Sequence, residues 1–149
     1  ADLHEAIFDA FDRYDSHAYE FLTRDEHGIA TRSYVHPQLY SGGESWQPMD
    51  DDEIDRFLEH AIPDSEPEEA RERFRELRKH PPKEGNAART TIDELELDQS
   101  QTLFYEFDLG DGWEHHIKIE EIREGSPGDG PVIIEKQGEA PPQYPRRDR

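Results

Sequence analysis

Leu3, Ile7, Phe8 and Phe11 recur at the spacing of one helix face, and Asp2, Glu5, Asp9 and Asp12 fall mostly on the other. The pattern predicts an amphipathic helix over residues 2–13, broken by Tyr14-Asp15-Ser16-His17. Ala18 to Leu22 is aromatic-rich and reads as a strand. Tyr34-Val35 and Leu39-Tyr40 read as short strand pieces around Pro37, Ser41 to Glu44 as a turn, and Trp46 to Met49 as extended chain. Asp50, Asp51 or Asp52 is placed to cap a helix running to about Ala61, with Ile54, Phe57, Leu58 and Ile62 apolar. Ser65-Glu66-Pro67-Glu68 has capping-box spacing and precedes a further helix, about 66–79, with Ala70, Phe74 and Leu77 on one face. Pro81-Pro82 ends it. Lys83 to Arg89 reads as a loop, and Thr91 to Leu95 as a capped helical turn.

Toward the C-terminus the pattern changes to strand alternation. Leu103–Asp108 and Trp113–Ile122 are predicted strands, Gly125 to Gly130 a loop, Val132–Glu135 a further strand, and the chain from Gly138 a Pro-rich tail. Asp111-Gly112 is a strong two-residue hairpin signal, because Gly takes positive φ freely and Asp tolerates it. A two-residue turn pairs Asp108 with His115, and a four-residue turn pairs Asp108 with Trp113. Either puts Glu106, Asp108, Trp113 and His115 on one face, with His116 on the other, solvated or packed on Phe107; a three-residue turn would not.

That one-face set makes the hairpin the candidate site. Glu106, Asp108 and His115 are candidate ligands for a divalent metal, the one candidate cofactor, and His17 at the end of the first helix would add a second imidazole. The same groups, with His115, Asp108 and Asp111 as the catalytic candidates, suit acid–base chemistry in a metal-dependent, hydrolase-like enzyme. The structural alternative is a turn in which Asp108 and Asp111 accept backbone N–H groups, His115 pairs with a carboxylate, Trp113 anchors the core and His17 satisfies helix C-terminal carbonyls. Arg71, Arg75 and Arg78 form a basic stripe on the helix at 66–79, interleaved with Glu68, Glu69, Glu72 and Glu76. They read as a solvated face rather than an anion or partner site.

Composition bounds these readings. The 149 residues suffice for one domain, with 32% apolar and 36% charged residues. The mean hydropathy of −1.12 would suit a disordered chain, but 2 Trp, 6 Tyr and 7 Phe in patterned segments indicate a folded one. With 17 Lys and Arg against 37 Asp and Glu, the net charge is −20, and only Lys79, Lys83, Lys118 and Lys136 are lysines. Such a surface suits a halophilic cytoplasm, where salt at about 1 M screens charge within about 3 Å. It argues against direct nucleic-acid binding. There is no Cys, hence no disulfide, thiolate nucleophile or Cys-bound zinc. No apolar run approaches a membrane span and no signal peptide is visible, so a cytoplasmic location is expected. The chain opens without Met directly in a helical pattern, which points to processing or an upstream truncation.

The hairpin residues Tyr105, Phe107, Asp108, Leu109, Gly110, Asp111, Trp113 and His115 resemble the signature of the plasmid pRiA4b ORF-3-like family, also described as insertion-element passenger proteins. Two further segments fit. Ala1 to His4 with Phe11 and Asp15-Ser16-His17 through Phe21 look like the family's first helix and the D-S-H-x-x-x-F segment after it, and Gly138 to Pro145 like its Pro-rich closing motif. The resemblance implies an α+β single domain over residues 1–145, with a largely antiparallel sheet and helices packed on it, a variable middle region at 23–90 and a disordered tail at 146–149. Relatives usually carry a β-hairpin before the first helix. This chain lacks it, and its loss would leave a sheet edge open to another chain. The cysteines many relatives carry before the Pro-Pro pair are also absent, so a metal role for that corner does not transfer. The resemblance supplies no activity. The expected function is a plasmid or mobile-element accessory protein, a non-enzymatic module that engages a protein partner or a second copy through its Pro-rich tail and the aromatics near the hairpin. The metal-dependent enzyme is the alternative, and a nucleic-acid-associated protein the second alternative.

Overall fold

The computed structural model describes residues 2–43, 47–61, 67–125 and 130–144. They form an α+β fold arranged as two compact units. The two ends of the chain, residues 1–17 and 122–149, build one unit, which contains helix α1 (Asp2–Ala10). Residues 18–121 build the other.

The larger unit holds the sheet. Strands β1 (Tyr19–Arg24), β2 (Ala30–Val35), β3 (Lys83–Asn86), β4 (Thr102–Phe107) and β5 (Trp113–Lys118) lie in the order β3-β2-β1-β4-β5. All neighbours are antiparallel except β2 and β3, which run parallel and are joined through helices α2 (Asp51–Ala61) and α3 (Glu68–Lys79). A parallel pair needs such a crossover, and β3 completes it where the sequence predicts a loop at 83–89. Gly85 permits this pairing: a Cβ there would lie 2.7 Å from a ring carbon of Tyr34, its partner on β2. Strand β2 takes in Tyr34-Val35, whereas Leu39-Tyr40 joins no strand, and β5 stops at Lys118 rather than at Ile122. The β1–β2 turn is closed by Asp25, whose carboxylate accepts the N–H groups of His27 and Ile29, with Gly28 at φ +77°.

Strand parity defines two faces. On face A, Tyr19 and Phe21 of β1 sit opposite Phe107 and Tyr105 of β4. Tyr105, Phe107 and Leu103 are each 1% exposed, so this aromatic face is the core of the sheet. Face B carries Glu20, Leu22 and Arg24 beside Phe104 and Glu106. Leu22 and Arg24 share a cleft of about 340 Å³ with Arg73, Phe74 and Leu77 of α3, so the helical layer lies on face B.

Asp50 is the α2 cap. Its carboxylate accepts Glu53 N–H at 2.8 Å while Glu53 accepts Asp50 N–H at 3.0 Å, a reciprocal capping box. The helix buries Ile54 and Leu58 and stacks Phe57 on Phe74 of α3 at 5.0 Å. Helix α3 begins after Pro67 without a side-chain cap. The expected cap at Ser65, the apolar Ile62, the extended Trp46 and the expected tail at 146–149 lie outside the described residues. The helical turn expected at Thr91 to Leu95 is a 3-10 turn over Asp93–Leu95, with Thr91 N–H and Oγ1 bound to Glu94.

In the unit formed by the chain ends, α1 stops at Ala10 rather than at residue 13. Asp12 adopts φ +52°, Arg13 N–H reaches back to Phe8 O and Asp12 N–H to Asp9 O, a Schellman closure with Asp in the position Gly usually fills. Val132–Glu135 is not a strand. These residues pair with no sheet, and Val132 and Ile134 are 80% and 96% exposed. Among the described residues no helix is long and apolar enough to cross a membrane.

Candidate functional site

The hairpin turn differs from both expected forms. Five residues, 108–112, separate the paired Phe107 and Trp113. Asp108 sits at φ +55° with its N–H on Ala18 O at 2.9 Å, and its own carbonyl accepts Asp111 N–H at 3.0 Å and Gly112 N–H at 2.7 Å. Residues 109–111 thus make one helical turn, and Gly112 uses its positive φ, +67°, to close that turn rather than to form a two-residue corner. The Asp-Gly pair signals positive φ but does not count the residues in the loop.

An odd loop reverses the parity. Phe107 pairs with Trp113, Glu106 with Glu114, Tyr105 with His115 and Phe104 with His116. His115 therefore lies on face A, its ring 5.3 Å from Tyr105 and its Nδ1 3.4 Å from Tyr105 O. Glu106 lies on face B, Asp108 is buried in the turn, and Asp111 is exposed at its tip. The expected one-face set of Glu106, Asp108, Trp113 and His115 is corrected: the strands disperse it. His116 does oppose His115 and is solvated, one of its two expected placements; its ring stands edge-on to Phe104 at 4.9 Å rather than on Phe107. Among the described residues no three His, Asp or Glu side chains gather so as to hold a metal ion.

What the register does assemble is a charge cluster on face B. Glu20 sits opposite Glu106 on one side and Glu114 opposite it on the other. Arg24 on β1 reaches both β4 and β5, at 3.2 Å from Glu106 and 2.6 Å from Glu114, with its guanidinium 4.1 Å over the Phe104 ring. Glu20 is bound by Ser33 Oγ at 2.8 Å. His116 Nε2 meets Glu114 at 2.6 Å. Burial and then the facing Glu20 carboxylate raise the Glu106 pKa above the ordinary carboxylate range, against the pull of Arg24. Glu114 is lowered, by its hydrogen bond to His116 first and to Arg24 next. Hydrophobic patterning does not single out Arg24. A signal exists all the same: Glu20, Leu22 and Arg24 alternate along one strand face, and Glu106 alternates along another.

His17 belongs to the chain-end unit, where the D-S-H and Pro-rich motifs meet. It lies beyond the end of α1, which stops at Ala10. Gln143, 2% exposed, accepts the N–H groups of Tyr14 and Asp15 at 3.1 and 3.2 Å and donates to Asp15 O at 2.9 Å. Tyr144 hydroxyl donates to Asp15 at 3.0 Å and lies 2.7 Å from His17 Nε2. Arg13 reaches Pro141 O at 3.2 Å. The closing motif thus clamps the segment that follows α1.

The basic stripe on α3 is engaged within the protein. Arg75 pairs with Asp55 at 2.7 Å, and Arg78 lies over the Phe74 and Phe57 rings at 5.3 and 5.7 Å.

At the far side of the hairpin the sheet ends. Asp108 N–H to Ala18 O fixes Phe104, Glu106 and Asp108 as the β4 residues bonded toward β1, and Ile119 N–H to Gln101 O fixes the odd-numbered residues of β5 as those bonded toward β4. The N–H and C=O of Glu114, His116 and Lys118 therefore point away from the sheet. Among the described residues none of these groups has a hydrogen-bond partner.

Fold and site together define an α+β protein whose largely antiparallel sheet ends in an exposed strand of alternating charge. The chain belongs to the plasmid pRiA4b ORF-3-like protein family, whose model matches residues 1–144. It is 46% identical over 44 residues to the protein described as "Uncharacterized protein y4hQ" of Sinorhizobium fredii (strain NBRC 101917 / NGR234). That match covers 30% of this chain and 23% of the relative, so the chain aligns with under a quarter of that protein. No solved structure matches the chain.

Proposed function

We propose that this protein is a non-enzymatic interaction module, an accessory protein of a mobile element, that accepts an extended strand from another chain along the outer edge of β5. The observation that carries this reading is the row of outward backbone groups at Glu114, His116 and Lys118. Strand addition satisfies such groups with main-chain bonds and leaves specificity to alternate side chains. Here those side chains are exposed Glu114, His116 and Lys118 on one face and half-buried His115 and Ile117 on the other.

Peptide-display selection of random extended 10-mers tests it, run on the wild-type chain and on His116→Pro. Proline removes one outward N–H and leaves the ladder to β4 intact. Enrichment of β-prone peptides that bind wild type and not the proline variant is expected. No enrichment, or peptides indifferent to the proline, would defeat the reading.

A further inference from the structure

We infer that the strand accepted by β5 is β5 of a second copy, paired antiparallel about a two-fold axis at His116. The inference rests on the strand-addition reading and adds its occupant. Within β5 only Glu114, His116 and Lys118 direct main-chain groups outward, so any added strand must register against these three. When the strand pairs with itself around His116, each Glu114 falls opposite a Lys118 of the other copy, and this happens twice because the interface is isologous. His115 then faces Ile117 of the other copy on face A. Centring the axis on Glu114 or on Lys118 sets like charges opposite each other. Centring it on His115 leaves Lys118 without a carboxylate. The His116 register is thus the one that uses the whole strand and neutralises it. Charged residues often guard an edge against pairing, but a guarding edge has no reason to carry a self-complementary charge order. Neither Lys118 nor the outward backbone is committed elsewhere among the described residues. Glu114 holds Arg24 through one carboxylate oxygen and His116 through the other, and each oxygen keeps a lone pair for an approaching ammonium.

The test is light scattering coupled to size exclusion, at protein concentrations up to about 100 µM. About 0.5 M NaCl screens the long-range repulsion of two chains of net charge −20. Wild type is expected to dimerise, and His116→Pro to be monomeric with an unchanged circular dichroism spectrum. Lys118→Glu and Glu114→Lys each set like charges across both pairs and should weaken the homodimer by about ten- to thirty-fold. Mixed with each other, these two variants restore opposite charges across both pairs, since the strand of one carries only carboxylates at the two positions and the strand of the other only ammonium groups. They should form a heterodimer near wild-type affinity. Heterodimer recovery also shows that both variants are folded. A monomeric wild type, a dimer that survives His116→Pro, or charge variants that behave like wild type overturns the inference. If wild type is monomeric while selected peptides still bind in a His116-dependent way, the second copy is wrong and strand addition stands. If neither occurs, both fall.

Discussion

Arg24 is the residue on which face B depends, and removing its charge gives the most informative perturbation. Arg24→Met keeps the aliphatic stem over Phe104 and deletes the guanidinium. The cation–ring contact at 4.1 Å is worth about 0.5–1 kcal/mol. The pair with Glu106, whose partners are 23% and 27% exposed, contributes about 1 kcal/mol. The pair with Glu114, whose carboxylate is 36% exposed, is discounted for screening to about 0.3–0.5 kcal/mol. The expected loss is therefore about 2 kcal/mol at pH 7. It should depend on pH. Arg24 lowers both Glu106 and Glu114, so its removal raises both folded-state pKa values. A raised carboxyl contributes stability that is full below its unfolded pKa and is lost as pH rises through the folded value. The deficit should thus be smallest near pH 4 and grow toward pH 7. Urea denaturation at a series of pH values measures it. A variant as stable as wild type at pH 7, or a deficit that does not change with pH, refutes this account of the cluster.

Glu106→Gln tests the same cluster from the other side. Because burial and Glu20 hold the Glu106 pKa up, the wild type loses stability as pH rises through that value; Gln removes the loss, and melting curves should show the variant gaining on wild type from pH 4 to pH 8, with a falling difference counting against it. Gly85→Ala places a Cβ 2.7 Å from the Tyr34 ring and should cost about 1–3 kcal/mol by urea denaturation, partly recovered by Tyr34→Leu. Gln143→Ala deprives Tyr14 and Asp15 N–H of their acceptor; hydrogen exchange at those two amides should rise about ten-fold, for about 1–2 kcal/mol, while exchange in β4 stays unchanged.

Much of this architecture is legible from local pattern. The helices at 51–61 and 68–79, the aromatic strand β1 and the alternation of β4 follow from periodicity and capping residues that act within one turn or one strand. Strand β3 is not legible, since Lys-Glu-Gly-Asn has little strand propensity, and its pairing beside the Tyr34 ring of β2, which Gly85 permits, is a contact distant in sequence. Val132–Glu135 departs in the opposite direction, with strong propensity but no ladder to join.

The hairpin marks the boundary most clearly. Local chemistry along the chain is enough to read the family signature, the two strands, the positive φ at Gly112 and the −20 charge. How many residues the turn consumes depends on a neighbour that local chemistry does not contain. Asp108 N–H is claimed by Ala18, next to β1, and the turn must close around that bond. Side chains in a strand alternate with a period of two, so the odd count put His115 on the face away from Glu106 and brought Glu114 onto the face that Glu106 already shares with Arg24.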